Sequence, residues 1–376
     1  MFPRRLSLIL PLLLLPALAA CGKQDKAPPP PPLAKAALAA VAEKPGVPRE
    51  ALARAVDGLF ADKEAGETRA LLVMSEGRII AERYGPGYGK ETRLIGWSMS
   101  KTITGVMIGM LVSDGRLRLD ESAPVPAWQR PGDPRGAITL RQLLQMRSGL
   151  RHSEASDPVY ESAEVRMLFL DGRDDMAGWA EEQPLEAEPG RQWKYSSATT
   201  VILSDIAARA LTDRPEPDVR RAAVADYLKT RLLDPIGMKS TVAEYDAAGT
   251  LVGSSLIHAT ARDWGRFGEF LRNGGAVKGA QLLPRGWIEF MTSANPRNPG
   301  YGAQLWRNRP QVDGSVVLMP GRAPASLFAC LGHLGQYVLV SPSQKLTVVR
   351  LGKSSSEERK RVLGHLTEIV GQFPKG

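Results

Sequence analysis

Ser98 and Lys101, in the segment Gly96-Trp-Ser-Met-Ser-Lys101, are the residues whose types and spacing point most directly to chemistry. On a helix, residues three apart share a face, so the hydroxyl and the amine can reach each other across one turn. A serine hydroxyl is a weak nucleophile until a nearby base takes its proton, and an uncharged lysine is such a base. Lysine is uncharged near neutral pH only where burial or neighbouring positive charge lowers its pKa. The apolar run from Ile103 to Val112 would supply the burial if this segment opens a core helix. The motif alone is unspecific: roughly one Ser-x-x-Lys is expected by chance in a chain of this size. This chain holds one, and its meaning depends on companions elsewhere.

Two other segments qualify. Trp193-Lys-Tyr-Ser-Ser197 lies between a Glu188-Pro-Gly-Arg191 turn and a helical pattern, so Tyr195 and Ser197 would put two hydroxyls on one side of an extended loop. A phenol of lowered pKa there could relay protons between nucleophile and leaving group. A tyrosine buried at a helix entrance with its hydroxyl paired is the plainer alternative. Gly332-His-Leu-Gly-Gln336 separates two strand-like runs. Gly335 would let backbone approach a ligand, an edge strand would offer amide donors, and His333 would add a donor or a tunable charge. A glycine-rich turn accounts for the same residues without any ligand.

The elements that must position these groups follow from periodicity and punctuation. A helix is predicted over 48–60, then strands Ala70–Met74 and Arg78–Glu82 joined through Ser75-Glu-Gly77, a hairpin pattern. The Ser98 helix ends at Gly115. Residues 139–146 read as a short helix behind a Thr139 cap, and 199–211 and 260–271 as longer ones. Strand patterns return late, at 302–306, 315–319, 327–331, 336–340 and 346–351, and a helix over 357–370 closes the chain. Strands at both ends with helices between predict an α+β fold. Its antiparallel sheet is built from both chain ends and flanked by helices, and a helical subdomain is inserted at about 120–250. The crevice between sheet and insertion is the natural place for a site.

In order and spacing, the three motifs resemble the serine β-lactamase and penicillin-binding-protein superfamily, in particular its class C and esterase-like branch. That family carries Ser-x-x-Lys, Tyr-x-Asn and Lys-Thr-Gly; here they stand as Ser98-Met-Ser-Lys101, Tyr195-Ser-Ser197 and His333-Leu-Gly335. Leu144-Gln-Met-Arg-Ser-Gly-Leu150 and Ala259-Thr-Ala-Arg-Asp-Trp-Gly-Arg-Phe267 also look like recurring family segments, and the likeness spans residues 48–371. The resemblance implies that Ser98 is the acylated nucleophile and that Lys101 and Tyr195 share base and acid duty. It places Ser197 where Asn often stands, to orient Lys101 or substrate, and His333 in the place of the third-motif lysine. The backbone amides of Ser98 and Gln336 would form the oxyanion hole. In β-lactamases and peptidases the third-motif lysine and its hydroxyl neighbour recognise a substrate carboxylate. His333 and Leu334 replace that pair, which counts against penicillin or D-Ala-D-Ala substrates; Ser197 in place of Asn, together with His333, resembles the esterase and 6-aminohexanoate-dimer-hydrolase side of the family. A β-lactamase or D-Ala-D-Ala carboxypeptidase, and a catalytically inactive binding lipoprotein of the same fold, are the alternatives. No Gly-x-Ser-x-Gly elbow is present. The four histidines have no metal-ligand spacing, so no metal or other cofactor is expected.

The chain has 376 residues, 43% hydrophobic and 24% charged, values typical of a water-soluble folded domain. Its N-terminus reads differently. Arg4 and Arg5 precede an apolar run too short to span a bilayer, ending Leu18-Ala-Ala-Cys21, which reads as a signal peptide over 1–20. Small residues before a cysteine resemble the lipobox of bacterial lipoproteins, implying lipidation at Cys21. A proline-rich tether follows over 21–47, with Pro28 to Pro32 unbroken. The expectation is a lipid-anchored, periplasm-facing protein of the cell envelope; Gly22, in place of an aspartate, favours the outer membrane. Cys330 is then the sole remaining cysteine, sits in an apolar run and is expected to be buried. The net charge of +9 is scattered among acids, and the cluster 353–361 is interrupted by Glu357 and Glu358, so nucleic acid is not an expected partner. The expected partners are a small-molecule ester or amide and, through Cys21, a membrane.

Overall fold

The computed structural model describes residues 32–375, of which those from Leu33 onward make one compact unit. Cys21 and the signal segment lie outside the described residues. Both chain ends contribute to one antiparallel sheet. Its strands are β1 (Glu67–Ser75), β2 (Arg78–Tyr84), β3 (Trp306–Arg307), β4 (Phe328–Gly332), β5 (Gln336–Ser341) and β6 (Leu346–Lys353), in spatial order β2-β1-β6-β5-β4-β3. The first and last long strands therefore lie side by side, with Leu72 opposite Val349 and Val73 opposite Val348.

Because successive side chains point to opposite faces, this register feeds two cores at once. Leu71, Val73, Val348 and Leu339 pack under helix α1 (Arg49–Ala61) and the closing helix α10 (Glu358–Gly371), through Leu52, Val56, Val362 and Leu366. Leu72, Val338, Val349 and Cys330 face the larger core, which includes α2 (Ser100–Ser113) and the inserted helices. These are α3 (Leu140–Leu144), α4 (Ala163–Phe169), α5 (Met176–Glu181), α6 (Ser197–Leu211) and α7 (Pro217–Leu228). Thr139 caps α3 in a reciprocal box with Gln142, and Ser196 accepts from the Thr199 amide to start α6. α8 (Ala261–Arg272), capped by Thr260, lies on the sheet with Trp264, Phe267 and Phe270 buried, and α9 (Arg285–Thr292) follows it.

Three expectations fail locally. The tether read over 21–47 ends sooner, because Lys35–Ala39 is helical, Ala37 and Val41 are buried, and the compact unit begins at Leu33. Residues 302–306 form no strand; only Trp306–Arg307 joins the sheet. Residues 315–319 form none either: the Met319 amide donates to the Asn308 side chain at 3.0 Å, and Val316 is 51% exposed, so the apolar run has no neighbouring strand. The helices at 217–228 and 285–292 were not legible in the pattern.

α8 approaches the sheet closely at Gly268, where a Cβ would lie 2.5 Å from Thr347 Cγ2 and 2.9 Å from Val338 Cγ1. Both neighbours are β-branched and cannot swing aside cheaply. Alanine in a helix interior is favoured over glycine by about 1 kcal/mol, whereas overpacking costs about 1–3 kcal/mol. Gly268→Ala is therefore expected to lower the urea midpoint, with a net loss of about 1 kcal/mol. A rise in midpoint would show that helix and sheet separate freely here.

Candidate active site

Ser98 sits in a single 3-10 turn, Trp97–Met99, at the mouth of α2. Trp97 adopts φ 48°, a left-handed conformation that costs an L-residue roughly 1–2 kcal/mol. Such strain persists only where the surroundings over-determine it. Here they do. The Gly96 amide donates to Ile257 O at 2.8 Å, the Ile257 amide donates to Ser100 Oγ at 3.2 Å, and a Cβ on Gly96 would lie 2.3 Å from the Trp264 ring. On the sheet side, a Cβ on Gly332 would lie 2.3 Å from Gly96 O. The turn is thus gripped between α8, a short strand at Ile257–Ala259 and the end of β4.

Lys101 enters α2 one turn later and is 1% exposed. Its Nζ lies 2.9 Å from Ser98 Oγ, 2.9 Å from Ser197 Oγ and 3.1 Å from the Ser254 carbonyl oxygen. Burial lowers its pKa, opposed by the charges of Glu154 and Glu164. A neutral amine has two N–H donors and one lone pair. The Ser254 carbonyl can only accept, Ser197 accepts the second N–H, and the lone pair is left for the Ser98 O–H. Ser98 itself is half-buried, so its hydroxyl faces both the amine and the cleft.

Tyr195 precedes α6, and Lys101 Nζ lies 4.9 Å from its ring centroid. Trp306 and Tyr301 wall the ring at centroid distances of 5.3 and 6.0 Å. The lowered phenol pKa suggested by the sequence is not found. Burial, then Tyr301 and Glu154, push it well above the ordinary value, against a hydrogen bond to Ser98. Tyr195 is a protonated phenol at neutral pH.

The third segment is the β4–β5 turn. Leu334 and Gly335 have φ of 59° and 81°, and a Cβ on Gly335 would lie 2.8 Å from Arg350 Nη1, so its open side is filled by a guanidinium. Arg350 donates to Gly335 O at 2.8 Å, and the buried Gln336 side chain bridges His333 O at 2.9 Å and Gly352 O at 2.8 Å. His333 is exposed and meets the Trp97 ring edge-on at 5.5 Å. Desolvation and then the Arg359 charge lower its pKa, leaving it uncharged at neutral pH. Ser98, Lys101, Tyr195 and Ser197 thus converge, and the His333–Gln336 turn borders them through Trp97.

Sequence reasoning missed an acidic pair in the insertion. Ser197 Oγ lies 3.0 Å from Glu154 Oε2 and 3.1 Å from Glu164 Oε1. The Ser197 amide also donates to Glu154, and His152 Nε2 lies 2.8 Å from Glu154 Oε1. Nothing in spacing singles out two glutamates among 40 acidic residues, since only folding brings them to Ser197.

The chain belongs to the β-lactamase family, whose family profile matches residues 56–370. Within that family it is similar to the 6-aminohexanoate-dimer hydrolase of Paenarthrobacter ureafaciens, 26% identical over 269 residues. That alignment covers 68% of this chain and 64% of the relative, just under two thirds of its length. Among solved structures, a Bacillus anthracis protein provisionally assigned as a 6-aminohexanoate-dimer hydrolase superimposes with TM-score 0.66 at 23% identity, covering 84% of this chain and 81% of its own. A family VIII carboxylesterase does so with TM-score 0.60 at 14% identity, covering 85% and 97%. Both share the fold.

The grip on the Ser98 turn makes a testable claim. Gly332→Ala sets a methyl against the Gly96 carbonyl, and displacement of a reacting group by about 1 Å can cost on the order of 100-fold in rate. Fluorophosphonate labelling at Ser98 is expected to slow by about that factor while thermal unfolding stays cooperative. Unchanged labelling would show that β4 does not position the turn.

Proposed function

We propose that this protein is a serine hydrolase that cleaves an ester or amide through an acyl-enzyme on Ser98. The observation that carries the reading is the buried Lys101 amine at 2.9 Å from Ser98 Oγ. In the proposed reaction Ser98 Oγ attacks the substrate carbonyl carbon and its proton passes to Lys101 Nζ. The oxyanion is received by the Ser98 and Gln336 backbone amides. Collapse breaks the bond to the leaving oxygen or nitrogen, which takes a proton from the Tyr195 hydroxyl as Lys101 returns one to Tyr195. Water then attacks the acyl carbon, and the same groups run in reverse.

The names of the relatives, a dimer hydrolase and a carboxylesterase, support amides and esters as the substrate class. A β-lactam or D-Ala-D-Ala peptide carries a carboxylate for the third motif to bind, and the uncharged His333 with Leu334 offers no cation there. For the N-terminus the reading rests on sequence alone: lipid attachment at Cys21, with the folded unit held off a membrane by the proline-rich tether.

Ser98→Ala is expected to abolish fluorophosphonate labelling and to lower kcat by about 1,000-fold or more. Lys101→Arg keeps a cation that cannot deprotonate and is expected to be equally inactive. Activity requires the free amine, so kcat/KM is expected to fall as pH drops through the depressed Lys101 pKa and to hold above it. Normal hydrolysis of nitrophenyl esters by Ser98→Ala would overturn the reading. Radiolabelled palmitate is expected to be incorporated by the wild-type chain and not by Cys21→Ser; equal labelling would remove the anchor.

A further inference from the structure

The acidic pair beside Lys101 has a proton count that its geometry imposes. Ser197 Oγ has one O–H to donate and two lone pairs to offer. Lys101 Nζ takes one lone pair at 2.9 Å, and the remaining two contacts are carboxylate oxygens, Glu154 Oε2 at 3.0 Å and Glu164 Oε1 at 3.1 Å. The single O–H satisfies one carboxylate. The other contact is then a repulsion between lone pairs unless that carboxyl carries a proton and donates it. Glu154 is the better anion, because the Ser197 amide and His152 Nε2 both face its Oε1 while Ser197 Oγ faces its Oε2. Glu164 has no such set of donors, so it is the carboxyl that carries the proton. The chain of donors reads Glu164 O–H to Ser197, and Ser197 O–H to Glu154.

We propose that Glu154 and Glu164 share one proton and act through Ser197 as positioning residues for Lys101, holding it as a free amine with one anion, rather than two, beside it. The idea rests on the hydrolase reading and deepens it. One anion stabilises the ammonium that forms when Lys101 accepts the Ser98 proton; a second would hold Lys101 charged before substrate arrives. The titratable groups facing the pair are Lys101, His152, Tyr195 and Tyr301. Burial and the neighbouring Glu154 raise Glu164 to about 7, whereas the contacts of Glu154 keep it below the ordinary range. The sign follows. Above about 7 Glu164 ionises, the local charge falls by one, and the proton affinity of Lys101 rises, so its deprotonation is spread over two steps to higher pH.

Glu164→Gln keeps a neutral donor in the same shape and removes the second ionisation. Its kcat/KM is expected to match wild type on the plateau, with the acid limb moved about one pH unit lower and reduced to a single step. Glu164→Ala, which lacks the donor to Ser197, is expected to lose about tenfold without that shift. Infrared titration provides a readout independent of turnover: the protonated-carboxyl intensity lost with a midpoint near 7 should be larger in wild type than in Glu164→Gln, where the other carboxyl raised to about 7, Glu181, still contributes. The Ser98→Ala protein should show the same band, so failure of the hydrolase reading and failure of the proton-sharing pair are told apart. A Glu164→Gln acid limb superimposed on wild type, or equal carboxyl intensity titrating near 7 in folded wild-type and Glu164→Gln proteins, overturns the proposal.

Discussion

One buried amine constrains much of this structure. Lys101 Nζ is held by three oxygens supplied by three separate segments: the Trp97–Met99 turn, the first residue of α6 and the loop carrying Ser254. A lone ammonium in such a place is costly, and a lysine answers by giving up its proton. The arrangement holds only if the three segments keep their mutual positions, and polar groups deep in the core secure that. Thr104 Oγ1 donates to Gly253 O at 3.0 Å beside the Ser254 loop, and Gln304 links the helices: its carbonyl accepts from Thr102 Oγ1 at 2.7 Å, its Oε1 from Thr200 Oγ1 at 2.8 Å, and its Nε2 donates to Leu144 O at 3.0 Å. α2, α6 and the end of α3 are thereby tied to one residue. Trp287 Nε1 adds a bond to Gly105 O at 3.1 Å, closing the other flank of α2.

A second buried cation solves the same problem in the opposite way. Arg350, fully buried in β6, cannot discard its proton as lysine does. It is surrounded by neutral acceptors: Gly335 O at 2.8 Å, Glu67 O at 3.0 Å, Ser354 Oγ at 2.8 Å and Thr68 Oγ1 at 3.2 Å. Burial lowers its pKa to about 10, which leaves it charged under physiological conditions. Its work is mechanical. It fastens the β4–β5 turn to the first strand beside the bulge at Thr68, so the turn bordering Ser98 is braced from below by a charge that never titrates in use. The two cations thus divide the roles of chemistry and scaffold by the proton affinity of their side chains.

How far the sequence was legible follows from the range of the interactions concerned. The hairpin at Ser75-Glu-Gly77, the Thr139 and Thr260 caps and the apolar α2 are local signals, and each falls within a few residues of its predicted place. The motif residues were legible because family order supplied what spacing alone did not. Val316, Val317 and Leu318 carry strand-forming side chains but lack a neighbouring strand, and pairing is a tertiary fact. The helix at 217–228 was hidden because Arg221, Ala222 and Ala225 are exposed while Arg220 turns inward to Asp205, which blurs the apolar face. Glu154 and Glu164 were invisible for the same reason as the failed strand: their significance lies in contacts to a residue 43 and 33 positions away.

The phenol's environment sets the order of proton movements in the proposed reaction. Tyr195 stands against an aromatic wall of Tyr301 and Trp306, and burial holds its proton firmly. A phenolate waiting to act as base would need a cation beside it, yet Lys101 is itself driven towards neutrality by burial. Both groups resist charge before substrate binds, so neither can serve as a permanent ion. Proton flow must then begin with Ser98 attacking while Lys101 receives, the ammonium existing only while Glu154 faces it. Tyr195 passes its proton on to the leaving group only when Lys101 can replace it at once. An aromatic wall that packs the site thereby also couples the two transfers, because a dry site makes a lone phenolate or a lone ammonium too costly to linger.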